Sequence, residues 1–188
     1  MKELPLAPVA YAQDAIKSKA KAGREGAEED EDSPTARIGK AMHRLLEWGD
    51  ASSNNTSAAA REFELTPEQG LRAAAMAEGI LRGAGAWAWD NAVLGWQGNE
   101  VELMVQGELL RLDRLVQRKD ADNAGHWWVL DYKSAQAPQH QSALVEQLRE
   151  YRMAVQAIYP HDMVSAAFLT GQGALVEIVN DTNIYQPP

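Results

Sequence analysis

The stretch Trp127-Trp128-Val129-Leu130-Asp131-Tyr132-Lys133-Ser134 is a run of β-favouring residues whose only two charges stand two positions apart. Side chains in a strand alternate faces, so Asp131 and Lys133 leave the same face and a carboxylate meets an ammonium there. Just upstream, Gly107-Glu108-Leu109-Leu110-Arg111-Leu112-Asp113 reads as a second strand-like segment and brings a further carboxylate, Asp113. Two acids and one lysine are the minimum set for a metal site that cuts phosphodiesters. The acids take a hard divalent cation through oxygen, and the lysine orients water or offsets charge building on phosphate. A lone D-x-K reads equally well as a solvated ion pair on a half-buried strand, so the decision rests on its surroundings.

The 188 residues are the size of one domain, and 45% hydrophobic content is enough to build a core. With no cysteine there is no disulfide framework, zinc knuckle or cysteine-ligated iron–sulfur cluster, which fits a reducing compartment. Met1 to Gln13 ends in Ala-Tyr-Ala, but Glu3, Pro5 and Pro8 interrupt it, and it lacks the apolar stretch of about seven residues that a signal peptide needs. No apolar run is long enough to span a bilayer, so the expected location is cytoplasmic. The net charge of −9 argues against a self-sufficient nucleic-acid binder. Much of it is local: Glu28-Glu29-Asp30-Glu31-Asp32 follows a Lys/Gly/Ala-rich stretch, and residues 1–35 read as an N-terminal arm with an acidic, flexible linker. Residues 36–188 are left as the folded domain. The cations available to hold a polyanion are few, chiefly Arg111, Arg114, Arg118, Lys133, Arg149 and Arg152.

Ile38, Met42, Leu45 and Leu46 recur at helical spacing and predict a helix over about 35–48. On an adjacent face, Gly39, His43 and Glu47 stand four apart. His43 and Glu47 read either as a surface pair or, with a glycine permitting close approach, as a source of a nitrogen ligand for a metal. Ala51 to Ser57 reads as a loop. Thr66, Pro67 and Gln69 then mark a helix start by N-cap, first-turn proline and capping box, with the helix running to about Arg82. Trp87, Trp89 and Trp96 read as packing residues rather than a base-stacking platform, because no basic residues are interleaved with them.

From Glu100 the period changes to two, with Val101, Leu103 and Val105 alternating with polar residues, and Gly107 breaks the run before the strand that carries Asp113. Asp120 to Gly125 is a polar turn, so the strands of Asp113 and Asp131 are expected to pair as an antiparallel hairpin that brings the acids together. After Pro138 a helix of about twenty residues shows the stripe Leu144, Leu148, Tyr151, Val155 and Ile158, with Gln147 and Tyr151 sharing a face at its edge. Met163 to Thr170 and Ala174 to Val179 read as strands joined through Gly171-Gln172-Gly173.

Taken in order, Gly39-x-x-x-His43, Gly107-x-x-x-x-x-Asp113, Asp131-Tyr132-Lys133-Ser134 and Gln147-x-x-x-Tyr151 resemble the nuclease domain of the RecB and AddA helicase–nucleases, within the PD-(D/E)XK superfamily. The resemblance covers about residues 36–170 and implies an α/β fold with a mixed central sheet flanked by helices. It implies Mg²⁺- or Mn²⁺-dependent cleavage of DNA, of exonuclease type, in end processing, recombination and repair. Asp113 and Asp131 would bind the metal, with the Tyr132 carbonyl as a further ligand and His43 completing the site. Lys133 would act on the attacking water, and Gln147 and Tyr151 would position Lys133 or the phosphate. Glu100 stands where some members carry an acid ahead of this strand. Members with an iron–sulfur cluster need cysteines, which this chain lacks. It also has no G-x-x-x-x-G-K-[ST] phosphate loop, so DNA is expected to arrive through a helicase domain or subunit. The alternative is an inert nuclease-fold module that binds DNA ends or a partner protein.

Overall fold

Helix α1, Pro34–Trp48, starts where Ser33 Oγ accepts a hydrogen bond from the Ala36 amide at 3.2 Å and ends at Gly49 in the left-handed region. The computed structural model describes residues 33–119 and 125–178, so the acidic arm and all but Gly125 of the turn expected from Asp120 to Gly125 lie outside the described residues. Where a loop was expected after Ala51, the chain forms a second helix, α2, Ser53–Glu62. Asn55 and Ser52 bind back to the Asp50 side chain at its start, and Thr56 and Ala59 are buried against helix α3. Tertiary packing overrides a polar composition that favours turns. Helix α3, Pro67–Arg82, has the expected capping box, with Thr66 Oγ1 accepting from the Gln69 amide and Gln69 Oε1 from the Thr66 amide.

Five strands follow: β1 Leu94–Val105, β2 Glu108–Arg118, β3 His126–Lys133, β4 Met163–Thr170 and β5 Leu175–Glu177. Helix α4, Ser142–Ile158, crosses from β3 to β4. The sheet runs β1-β2-β3-β4-β5, antiparallel except for the parallel β3–β4 pair that the α4 crossover demands. The expected mixed α/β sheet is the observed one. Gln106 and Gly107 both have positive φ, which lets the β1–β2 hairpin close in two residues.

β1 begins six residues before the expected start, since Gly95 and Gly98 dilute its strand signal. It also breaks phase. Trp96, Val101 and Leu103 all enter one core cluster although odd spacings should put them on opposite faces. The break lies at Glu100, a non-glycine residue at φ 48. β2 breaks at the facing position, Leu112 and Leu115 sharing that same cluster.

Helices α1 and α3 cover one face of the sheet with Met42, Leu45, Leu46, Ala73, Ala77 and Ile80 against Val116, Leu130, Tyr132 and Leu169. Helix α4 covers the other, with Leu148 and Val155 against Leu115, Trp127, Val129 and Phe168. Gly79 and Gly83 let α3 reach the β4–β5 turn, where a Cβ on Gly79 would stand 2.5 Å from the Gly171 carbonyl oxygen. Among the described residues no helix is long and apolar enough to cross a membrane.

Candidate active site

The hydrogen-bonded ladder between β2 and β3 stops at Arg114 and Leu130. Asp113 and Asp131 are the next residues on each strand, so both acids stand at the fork where β2 leaves β3 and continues with β1 alone. Asp113 Oδ2 accepts the Tyr132 amide at 2.8 Å, which ties the fork together. Lys133 Nζ stands 2.8 Å from Asp131 Oδ2, an ion pair by distance, although the oblique approach leaves that oxygen without a directed donor.

His43 comes to the fork from α1, with Nδ1 3.6 Å from Asp113 Oδ1 and its ring edge-on to Tyr132 at 5.3 Å. The alternative pairing with Glu47 does not form; the Glu47 carboxylate takes Arg44 instead. Glu100 faces Asp113 across β1 and β2, between the paired residues Asn99–Arg114 and Val101–Leu112. His43, Glu100 and Asp113 each offer one ligand atom, and these atoms lie within 4.8 Å of one another. Among the expected residues, then, His43, Asp113, Asp131, Tyr132 and Lys133 converge. Gln147 and Tyr151 lie on α4 and bond to each other, Nε2 donating to the phenol oxygen at 2.8 Å. Glu100 gave only a weak signal in the sequence, because its place depends on a left-handed residue inside a strand.

A family model for the PD-(D/E)XK nuclease superfamily matches residues 15–182. The chain belongs to that superfamily. No curated protein matched it. Members of that superfamily are nucleases that use divalent metals, and the donors at the fork fit such an ion: carboxylate oxygens with one imidazole nitrogen.

Burial sets the protonation at the fork. Asp131 is pushed up to about 6, by burial first and then by the Asp113 charge, with Lys133 opposing. Burial also raises Asp113, against the hydrogen bond from the Tyr132 amide. Burial and then the Lys133 charge lower His43, which keeps the imidazole neutral near pH 7 with a lone pair for a cation.

Three of the six cations expected to track a polyanion have partners of their own in the fold. Arg114 is 2% exposed and lies over Trp89, Arg111 pairs with Glu100 at 2.9 Å, and Arg118 lies over Trp87. The fold thus supplies from β2 the basic neighbours that the tryptophan segment lacks in sequence, and uses them for packing. Trp87 and Trp89 join the α1–α3 core and Trp96 the α4 core.

Proposed function

We propose that this nuclease domain is a divalent-metal-dependent deoxyribonuclease of the RecB and AddA type, acting exonucleolytically in DNA end processing, recombination and repair. The observation that carries the reading is the convergence at one fork of His43, Glu100 and Asp113 with the Asp131–Lys133 pair. His43, Asp113, Asp131 and the Tyr132 carbonyl are the ligands for Mg²⁺ or Mn²⁺, with Glu100 beside them. When bound, the cation supplies Lewis-acid charge that lowers the pKa of water and offsets charge on the phosphate.

The protein's own groups divide the remaining work. Asp131, with its pKa near 6, is ionised at neutral pH and holds Lys133 Nζ at the mouth of the fork. Lys133 orients the attacking water by hydrogen bonding and places positive charge where the pentacovalent phosphate builds negative charge. Gln147 and Tyr151 fix the flank from α4, positioning Lys133 or the phosphate. With Arg111 and Lys133 paired and Arg114 buried, the domain has little free positive charge along a DNA track. A helicase domain or subunit that delivers the strand fits that shortage, as does a cytoplasmic location.

The test is cleavage of labelled single-stranded and duplex DNA with Mg²⁺, Mn²⁺ or EDTA. Cleavage should need the metal and fall about 100- to 1,000-fold in Lys133→Ala and Asp131→Ala proteins that still fold. Wild-type rates in folded Lys133→Ala protein would refute the role given to it. Tethering the domain to a DNA motor should raise kcat/KM at moderate salt; an isolated chain already as fast would remove the need for delivery.

A further inference from the structure

The residue after Asp113 is buried and carries a charge. Arg114 Nε and Nη2 donate to the Ala88 carbonyl at 3.2 and 2.6 Å, Nη2 also donates to Gln97 Oε1, and Nη1 donates to Asn99 Oδ1. All these acceptors are neutral, and the guanidinium lies 4.5 Å above the Trp89 ring. Burying a charge carries a desolvation cost that hydrogen bonds to neutral acceptors must offset. What this arrangement supplies is geometry, because a planar fork with several donors fixes several acceptors at once.

Those acceptors lead to the metal site by two routes. Asn99 Nδ2 donates to the Glu47 carbonyl at 2.9 Å, which fastens β1 to the last turn of α1, and Asn99 is the residue before the left-handed Glu100. Trp89, beneath the guanidinium, donates Nε1 to the Leu46 carbonyl at 3.2 Å and stacks on Tyr132 at 6.0 Å. Both routes end one turn from His43, and Tyr132 is the residue whose amide holds Asp113.

We infer that Arg114 is a positioning residue of the metal site: from within the α1 face of the sheet it holds α1, β1 and β3 at the spacing that sets His43 and Glu100 against Asp113. The inference rests on the metal-site reading above. It gives Arg114 no contact with metal or substrate, so its effect passes through His43 and the Tyr132 peptide.

The experiment measures Mn²⁺ affinity by calorimetry in wild type, Arg114→Gln, Arg114→Lys, Asn99→Ala, His43→Ala and the Arg114→Gln/His43→Ala double variant. Folding is followed separately by denaturant melts. Arg114→Gln should weaken Mn²⁺ binding about tenfold, as loss of a residue that orients metal ligands does. Asn99→Ala should weaken it less, and Arg114→Lys should restore only part, since the ammonium cannot span the same acceptors. In the His43→Ala background the Arg114→Gln loss should be smaller than in wild type, because part of it passes through His43. Unchanged affinity in folded Arg114→Gln, or losses that simply add, would overturn the inference; if that variant does not fold, Asn99→Ala decides by the same criteria. A second readout needs no metal: hydrogen exchange at the Tyr132 amide should quicken in Arg114→Gln and Asn99→Ala relative to the Phe168 amide. Equal exchange at both amides overturns the inference even if the wild type binds no Mn²⁺, a result that would separately refute the metal-site reading.

Discussion

The two faces of the sheet are built from different materials. Against α4 the interior is dry: Trp127 is fully buried, stacks on Tyr159 at 4.2 Å and meets Trp96 at 5.6 Å, and its indole N–H reaches Asp162 at the rim at 2.9 Å. Against α1 and α3 the core is threaded by polar groups, with Arg114, Asn99, Trp89 and Tyr132 linked to the end of α1 and to the acids. Apolar packing is strong and weakly directional, whereas buried hydrogen bonds fix positions at a desolvation cost. Both faces bury apolar side chains, but only the α1 face carries a polar network that reaches the fork.

Removing Trp127 is the largest perturbation of that contrast. Trp127→Ala should cost about 3–5 kcal/mol by denaturant melts, while the Mn²⁺ affinity of the folded fraction stays at the wild-type level. A parallel loss of metal affinity would mean that the two faces are not separable.

Next in size is the pH dependence of the metal-free protein. The Asp131 pKa rises from 3.8 to about 6 on folding, so between those values the native state holds a proton that the unfolded chain has released. Stability should therefore fall as pH rises from about 4 to 6, by about 2–3 kcal/mol at one pKa unit per about 1.4 kcal/mol. Asp131→Asn should flatten that slope and leave the contribution of the same sign from Asp113. A wild-type stability that is level across this range would show the fork to be wetter than its burial indicates.

The smallest structural change is at Gln147, an exposed side chain whose bond to Tyr151 joins two residues on one helix. Gln147→Ala should shift stability by about 0.5 kcal/mol or less, yet slow DNA cleavage severalfold. Unchanged cleavage would reduce the pair to ordinary helix-surface chemistry.

Local chemistry made several elements legible. Thr66, Pro67 and Gln69 start α3 as read, and Met163–Thr170 is a strand with the expected bounds. Helix α4 is shorter than read, because Pro138 opens a separate 3-10 turn before it. The missed α2 and early β1 have the same origin: Ser53, Asn54 and Asn55 in one, Gly95 and Gly98 in the other, have poor intrinsic propensity and gain their structure from neighbours. The period change read at Glu100 marks the phase break inside β1 rather than its start.

What the sequence by itself determined is what two- and four-residue spacing can encode: the shared face of Asp131 and Lys133, the break at Gly107 between two strands, and the apolar stripes of α1 and α4. Only the tertiary structure decided which of the remaining polar groups meet. It ended the β2–β3 ladder one step short of the two acids, turned His43 toward Asp113 rather than Glu47, and brought Glu100 across from the neighbouring strand. It also took Arg114, one of the few cations in the sequence suited to holding DNA, and buried it in the core. Strand register and helix docking are set by packing between residues far apart in the chain, so no local pattern carries that information.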